Sequence, residues 1–303
     1  MADPAISTER LVKNYGRNRG LTGLDLQVET GEVYGFLGPN GAGKTTTIRL
    51  LLDLIRPTSG SARVLGRDPR DVTLRRRIGY LAGDFVVDGR QTGRELLTFL
   101  GNLRGGVPHS TINEFAARLD LDLGRRIKNL SKGNRQKIGV IQAFMHAPEL
   151  LILDEPTSGL DPFLQQQVVM MVRDAKAAGQ TVFMSSHVMS EVQQTADRVG
   201  IIREGRLIAV ERVEDLRERS VRRVEIQFDE AVAPHEFSVL PGVRDVAFDH
   251  TGTTLRCQLN GRADALVKAA SRHTVLSLLS EEPDLEELFF SYYNHREEAG
   301  RAA

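Results

Sequence analysis

An α/β fold followed by a small α+β domain is predicted by three observations. A glycine-rich loop, Gly38 to Thr45, lies between an apolar strand-like run at Glu32–Leu37 and a stretch with helical apolar spacing at Ile48, Leu51, Leu52 and Ile55. Short apolar runs at Leu150–Leu153 and Thr181–Ser185 read as strands, the first without alternation and so buried on both faces, as in a largely parallel sheet. Beyond residues 211–220, dense in both charge signs, the pattern changes to alternating strand candidates. Domains are therefore expected at 1–215 and 216–303.

Each element has its own signal. Residues 9–15 read as a short edge strand ending at Tyr15. Residues 21–28 alternate, with Leu24, Leu26 and Val28 on one buried side, and these early strands read as antiparallel. Thr30-Gly31 turns into the strand before the glycine-rich loop, and the helix after it is expected over Thr46–Ile55. Arg56 to Gly60 is a breaker cluster, followed by strands at Ala62–Leu65 and Ile78–Leu81 and a loop at Gly83–Gly93. Thr92 with Glu95 three residues on predicts a capped helix through Leu103, and Thr111–Leu119 is helical again. Asn129–Gln136 opens a helix with apolar Ile138, Ile141, Phe144 and Met145, closed by Pro148. Asp161-Pro162 fits the cap and first position of a helix to Ala178. A helix over Val188–Ala196 follows, then a hairpin of Val199–Ile202 and Arg206–Ala209 turned by Glu204-Gly205. The second domain offers strands at Val224–Phe228, Val243–Phe248, Thr254–Leu259 and Val275–Leu279. Its helix candidates are Ala263–Ala270 and an aromatic-rich Asp284–Tyr293.

Composition excludes several classes. The chain has 303 residues, a soft prior of two domains. Lys+Arg and Asp+Glu each number 40, so net charge gives no reason to expect nucleic acid as the main partner. No apolar run approaches the roughly 20 residues that cross a bilayer, and the first ten residues lack a signal-peptide pattern. A cytosolic location is the expectation, with any membrane association made through a partner. Cys257 is the single cysteine and a core candidate, and His109, His146 and His273 have no metal spacing.

Gly38–Thr45 matches G-x-x-x-x-G-K-T, the phosphate-binding loop; the bland alternative is a glycine-rich turn with an incidental lysine. In the first reading Gly38, Pro39, Asn40, Gly41, Ala42, Gly43 and Thr46 surround the nucleotide. Lys44 reaches the β- and γ-phosphates and Thr45 binds Mg²⁺. Asp154 and Glu155 end a buried strand and suit Mg²⁺ and an attacking water, or else are two solvent-facing acids. Ser131 and Gly133 make a second anion site at a helix start, or an ordinary cap. One nucleotide needs only one phosphate loop, so a second such site points to a nucleotide on another copy. His187 meets the γ-phosphate or its water, or is a structural cap. Tyr15 stacks on adenine, or is a surface aromatic.

In this order the motifs resemble those of the ATP-binding subunit of an ABC transporter over roughly Glu9 to Ala209. Gly38–Thr45 resembles the Walker A loop, Leu150–Glu155 the Walker B strand and Leu130–Asn134 the signature loop. Ser158–Asp161 is similar to the D-loop, His187 to the switch histidine and Tyr15 to the A-loop aromatic. The wording is most similar to ABC-2 exporters, including bacterial drug- and antibiotic-efflux ATPases, some with a C-terminal domain ending near a pattern like Leu285–Phe289. The resemblance implies a P-loop ATPase with an early antiparallel region and a helical region carrying the signature. It implies a homodimer with two ATP at its interface, each between one copy's Walker A loop and the other's Ser131 and Gly133. Glu155 would be the catalytic carboxylate, with Lys44 and His187 beside it, and Thr45 and Asp154 would hold Mg²⁺. The partner would be a membrane permease on a separate chain, with this subunit on the cytoplasmic face. A soluble relative in translation or repair, or a non-transport regulator, is the alternative. Two departures stand out. Gly83 occupies the position where the family usually has Gln, with Asp84 the nearby acid that could act through water. Lys132 and Asn134 flank the retained Ser131 and Gly133.

Overall fold

Alternating segments and uniformly apolar segments end in different sheets. The computed structural model describes residues 3–16, 18–87, 89–219 and 221–281. The expected helix Asp284–Tyr293, with the Leu285–Phe289 pattern, lies outside the described residues. The first unit runs β1 (Ile6–Tyr15), β2 (Asn18–Val28), β3 (Val33–Leu37), α1 (Lys44–Leu51), β4 (Ser59–Val64) and β5 (Ile78–Leu81). It continues with α2 (Gly93–Leu103), α3 (His109–Arg118), α4 (Lys132–Phe144), β6 (Leu150–Asp154) and α5 (Pro162–Ala177). Next come β7 (Thr181–Ser186), α6 (Met189–Thr195), β8 (Arg198–Arg203) and β9 (Arg206–Arg212).

One-sided β1 and β2 form an antiparallel sheet of order β2-β1-β4. In β2, Leu24, Leu26 and Val28 are buried while Asp25 and Gln27 are exposed, so the alternation decides which face meets the core. The other sheet has the order β5-β6-β7-β3-β8-β9, with parallel pairing from β5 through β8. Every residue of β3, β6 and β7 is buried. Alternate residues of these strands serve two cores. Tyr34, Phe36, Ile152 and Phe183 pack with α1 and the antiparallel sheet. Val33, Leu151, Leu153, Val182 and Met184 pack with α2 to α5. Each such side chain contributes roughly 1.5–3 kcal/mol by burial. Parallel register aligns the carboxyl ends: Leu37 is level with Ser186, and Asp154 with Ser185. In open parallel sheets that edge is where ligands bind.

Local chemistry sets several boundaries. Thr92 and Glu95 form the expected capping box on α2. Helix α1 starts at Lys44 and stops at Leu51, short of the expected Ile55, because Asp53 turns left-handed at φ 55 and holds Arg56 at 2.8 Å. Residues 56–58 of the breaker cluster lie outside regular structure, while Ser59 and Gly60 already belong to β4. Gly60, at φ 79, passes where a Cβ would lie 2.2 Å from the Arg10 carbonyl, beside a bulge in β1. No described helix is long and apolar enough to cross a membrane.

Helices α2 and α4 are tied to β5 by a polar knot. Arg104 donates to the Gln142 carbonyl and side chain and lies 3.1 Å from His146 Nδ1, while Gln142 Nε2 donates to the Tyr80 carbonyl. His146 Nε2 is 3.3 Å from the Ile78 carbonyl, which fits the Nε2–H tautomer. Burial first, and the Arg104 charge second, push the His146 pKa down to about 4. The folded state therefore holds it neutral. Its stabilising contribution is complete above an unfolded value of about 6.5 and is lost as pH falls through about 4. His146→Gln, which cannot take up that proton, is expected to be less stable than wild type near neutrality, with the gap narrowing on acidification, as read by urea unfolding at each pH.

The chain divides into two compact units between Glu211 and Arg212. The second unit holds α7 (Val213–Arg219), β10 (Arg222–Phe228), α8 (His235–Ser238), β11 (Val243–Phe248), β12 (Thr254–Leu259), α9 (Asp264–Ala270) and β13 (Val275–Glu281). From β10 onward this is a split β-α-β arrangement, antiparallel in the order β11-β12-β10-β13. Its core includes Ile226, Phe228, Phe237, Leu255 and the buried Cys257.

Candidate functional site

The loop after β3 is shaped by what its glycines leave out. A Cβ on Gly38 would sit 2.5 Å from the Ile202 carbonyl. Gly43, at φ 115, would place one 2.8 Å from Leu21 and 3.0 Å from the Gly20 carbonyl. The loop thus folds tightly against β2 and β8 and leads into α1. Gly43 is the cap residue of α1 and offers no side-chain cap. The first N–H groups of a helix have no intrahelical partner, and Gly43, Lys44, Thr45 and Thr46 all line one cleft of about 260 Å³. Pro39, Asn40, Gly41, Tyr15 and Glu155 line the same cleft, while Ala42 is buried under the loop.

Lys44 and Glu155 meet there, with the His187 imidazole beside them. Lys44, only 5% exposed, donates to the carbonyls of Gly38 at 2.7 Å and Pro39 at 3.3 Å. Its Nζ lies 3.4 Å from Glu155 Oε1, and His187 Nδ1 lies 3.4 Å from the same oxygen. Glu155 follows β6 directly and takes a left-handed φ of 49, a conformation that costs energy in a non-glycine residue and turns its side chain out of the strand direction. Asp154, 3% exposed, accepts from Ser185 Oγ at 2.6 Å. The Glu155 N–H is 3.2 Å from both the carbonyl and the hydroxyl of Ser185. One serine therefore fixes both acids. Glu191 does the same for the flanking loops, accepting from Thr157 and Ser186. The sequence does not single out Ser185 or Glu191; their only signal is a polar residue near the end of a buried strand and an acid in the first turn of the helix after it.

Tyr15 is 44% exposed, its ring packed over Gly20 with Lys13 Nζ 5.4 Å from the centroid. Ser131 caps α4, accepting from the Asn134 N–H at 3.2 Å, and Gly133 packs near the Gly159 carbonyl. Ser131 and Gly133 are not among the residues lining the cleft of their own chain. Asp161 caps α5, accepting from the Leu164 N–H at 3.1 Å, with Pro162 beginning the helix.

The residues fit a phosphate chain. Gly38 and Gly43 let the loop lie close against β8 and β2 at the start of α1, and an ammonium group stands at its side. For a divalent ion, Thr45 lines the cleft, while the Asp154 carboxylate is buried against Ser185 and is not part of the lining; a hydroxyl and a carboxylate are donor types that suit Mg²⁺ completed by phosphates and water. The described residues contain no cluster of three or more His, Cys, Asp or Glu that could hold a metal by itself.

Gly83 lies beside Asp154, where a Cβ would be 3.4 Å from the Asp154 carbonyl and 3.7 Å from its carboxylate. Those are ordinary contacts, so a Cβ fits there. Asp84 is exposed and is not among the cleft-lining residues. Gly83→Gln is expected to fold normally and to lower the Mg²⁺ concentration that half-saturates ATPase activity by about threefold to tenfold, the worth of one added hydrogen bond. An unchanged Mg²⁺ titration would remove that expectation.

Fold and site together define a P-loop nucleoside-triphosphate-binding protein with its site at the carboxyl edge of a parallel sheet. The ABC transporter family model matches residues 21–158. The bacitracin transport ATP-binding protein BcrA of Bacillus licheniformis is 38% identical over 230 residues, 74% of this chain and 75% of BcrA. The daunorubicin/doxorubicin resistance ATP-binding protein DrrA of Streptomyces peucetius is 44% identical over 213 residues, 68% of this chain and 64% of DrrA, so that match spans slightly less than two thirds of its length. A solved ATP-binding subunit of an ABC transporter superposes with a TM-score of 0.64 at 27% identity, covering 70% of this chain and 92% of that one. The chain belongs to the ABC transporter family, as an ATP-binding subunit, and carries the ABC ATPase fold that the sequence predicts.

Proposed function

We propose that this chain hydrolyses ATP to drive export of an antibiotic-like compound through a separate membrane permease, working as a homodimer on the cytoplasmic face. The observation that carries the catalytic part is the meeting of Lys44 and His187 on one oxygen of Glu155 beside the phosphate cradle. With ATP bound, Lys44 exchanges its carbonyl partners for β- and γ-phosphate oxygens, and the α1 N–H groups hold the rest of the chain. Glu155, freed from Lys44, orients and deprotonates the attacking water, and His187 steadies that water or the γ-phosphate. Mg²⁺, held by Thr45 and Asp154, supplies charge neutralisation on the phosphates when bound. Tyr15 stacks on the adenine.

Ser131 and Gly133, outside their own chain's cleft, support a head-to-tail pair in which each closes over the other copy's nucleotide. Closure on ATP biases a two-state permease, and hydrolysis releases it. The export reading draws on relatives named for bacitracin transport and daunorubicin/doxorubicin resistance. The test is affinity capture of Glu155→Gln with ATP from gently solubilised native membranes. Recovery of one multi-span protein supports the reading and identifies the permease. Recovery of only ribosomal or repair proteins overturns transport while leaving the ATPase site intact.

A further inference from the structure

Among the described residues, the second unit leaves one strand bare. All seven residues of β13 are exposed, whereas Val224, Ile226 and Phe228 on the adjoining β10 are buried. Register assigns the faces. Leu278 and Ser280 pair with Ile226 and Val224 on the core side, while Ser277 and Leu279 pair with Gln227 and Glu225 on the other. Leu276, Leu278 and Leu279 are 58, 48 and 56% exposed. Among the described residues nothing covers the apolar side chains on either face of this strand. Its outer row of N–H and C=O groups has no neighbouring strand among the described residues. A segment lying on one face would cover one set and leave the other; a strand added edge-on reaches both and completes the hydrogen bonds.

The opposite edge is guarded. Strand β11 carries Arg244 and Asp245, its register breaks between Arg244 and Ala247, and Asp245 is left-handed at φ 49. Charge and a bulge are what deter edge pairing. Strand β13 has no Lys or Pro, and Ser277–Glu281 is in unbroken register with β10. Its one ionisable group, Glu281, is the last residue. The edge complements itself. Antiparallel pairing about a two-fold axis near Leu278 sets Leu276 opposite Ser280, and Ser277 opposite Leu279, of a second copy. It also sends the two Glu281 carboxylates to opposite ends, whereas parallel pairing would bring them together.

We infer that β13 is a homodimerisation strand, joining two copies edge to edge into one continuous antiparallel sheet. This association needs no nucleotide and stands apart from the ATP-bridged dimer. The test is sedimentation velocity on the full chain, nucleotide-free with EDTA. Wild type is expected to be dimeric, and Leu278→Lys/Leu279→Lys, which charges both faces, to self-associate at least about tenfold more weakly with little change in melting temperature. In a Cys257→Ser background, single cysteines at positions 276 to 280 should give symmetric disulfide-linked dimers, peaking at Leu278→Cys. A monomeric wild type, a dimeric charged variant, or a single-cysteine series with no cross-linked dimer at Leu278→Cys each overturns the proposal. Persistence of an ATP-dependent dimer of Glu155→Gln in the charged background would show that the nucleotide-bridged pair stands without it.

Discussion

Glu155→Gln is expected to slow ATP hydrolysis by about 10²–10⁴-fold, the span associated with losing a general base, while ATP affinity stays near that of wild type. The amide keeps the size of the carboxylate and its place after β6, so the left-handed turn and the Ser185 hydrogen bonds to the backbone survive. Two things change. The group can no longer take a proton from water, and Lys44 loses the counter-charge that lies 3.4 Å from it. The second change frees Lys44 for phosphate and tightens binding slightly. ATP therefore stays bound and unhydrolysed, and the nucleotide-bridged dimer accumulates. Single-turnover kinetics with size-exclusion chromatography read both effects. Wild-type turnover in this variant would sink the assignment of Glu155.

How much of this was legible in the sequence depends on how local each feature is. Gly38 to Thr45 is contiguous, and its strand and helix flanks follow from apolar spacing, so cradle and lysine could be read directly. The Thr92–Glu95 capping box and the Asp161 cap are equally local, and the structure has both. Features that join distant segments were not legible. Nothing near Ser185 in sequence indicates that its hydroxyl holds Asp154, 31 residues away. Gly83 was read as a missing side chain, yet it lies directly against Asp154 because β5 and β6 are neighbours in the parallel sheet. The α1 boundary failed at Asp53, a left-handed residue that composition does not mark, and the β4 boundary at Gly60, whose glycine reads as a breaker although it lies inside the strand beside the β1 bulge. The four-residue α8, starting after Pro234, is too short to set up a period. The bare edge of β13 emerged only from the order of strands, because its Leu-Ser pattern reads like that of any half-buried strand.

Lys44→Met should act at the earlier step, weakening ATP binding by about tenfold to a hundredfold, the worth of one hydrogen bond to a charged group. Hydrolysis at saturating ATP should fall by a further 10²–10³-fold or so, as when one donor to developing transition-state charge is removed. Methionine suits the site because Lys44 is 5% exposed, so its stem lies in protein and only the ammonium is lost. Gly38 and Pro39 lose a donor, but Pro39 lines the open cleft, and the loop's shape rests on Gly38 and Gly43 rather than on this side chain. Glu155 keeps only His187 beside it, with no lysine to neutralise. The two variants thus separate the two functions of the cleft: Glu155→Gln binds and stalls, and Lys44→Met binds poorly and also stalls. Isothermal titration with a slowly hydrolysed ATP analogue measures the first quantity and phosphate release the second. If Lys44→Met bound nucleotide as tightly as wild type, the ammonium would not be a phosphate ligand, and the whole reading of the cleft would have to be rebuilt around the α1 N–H groups alone.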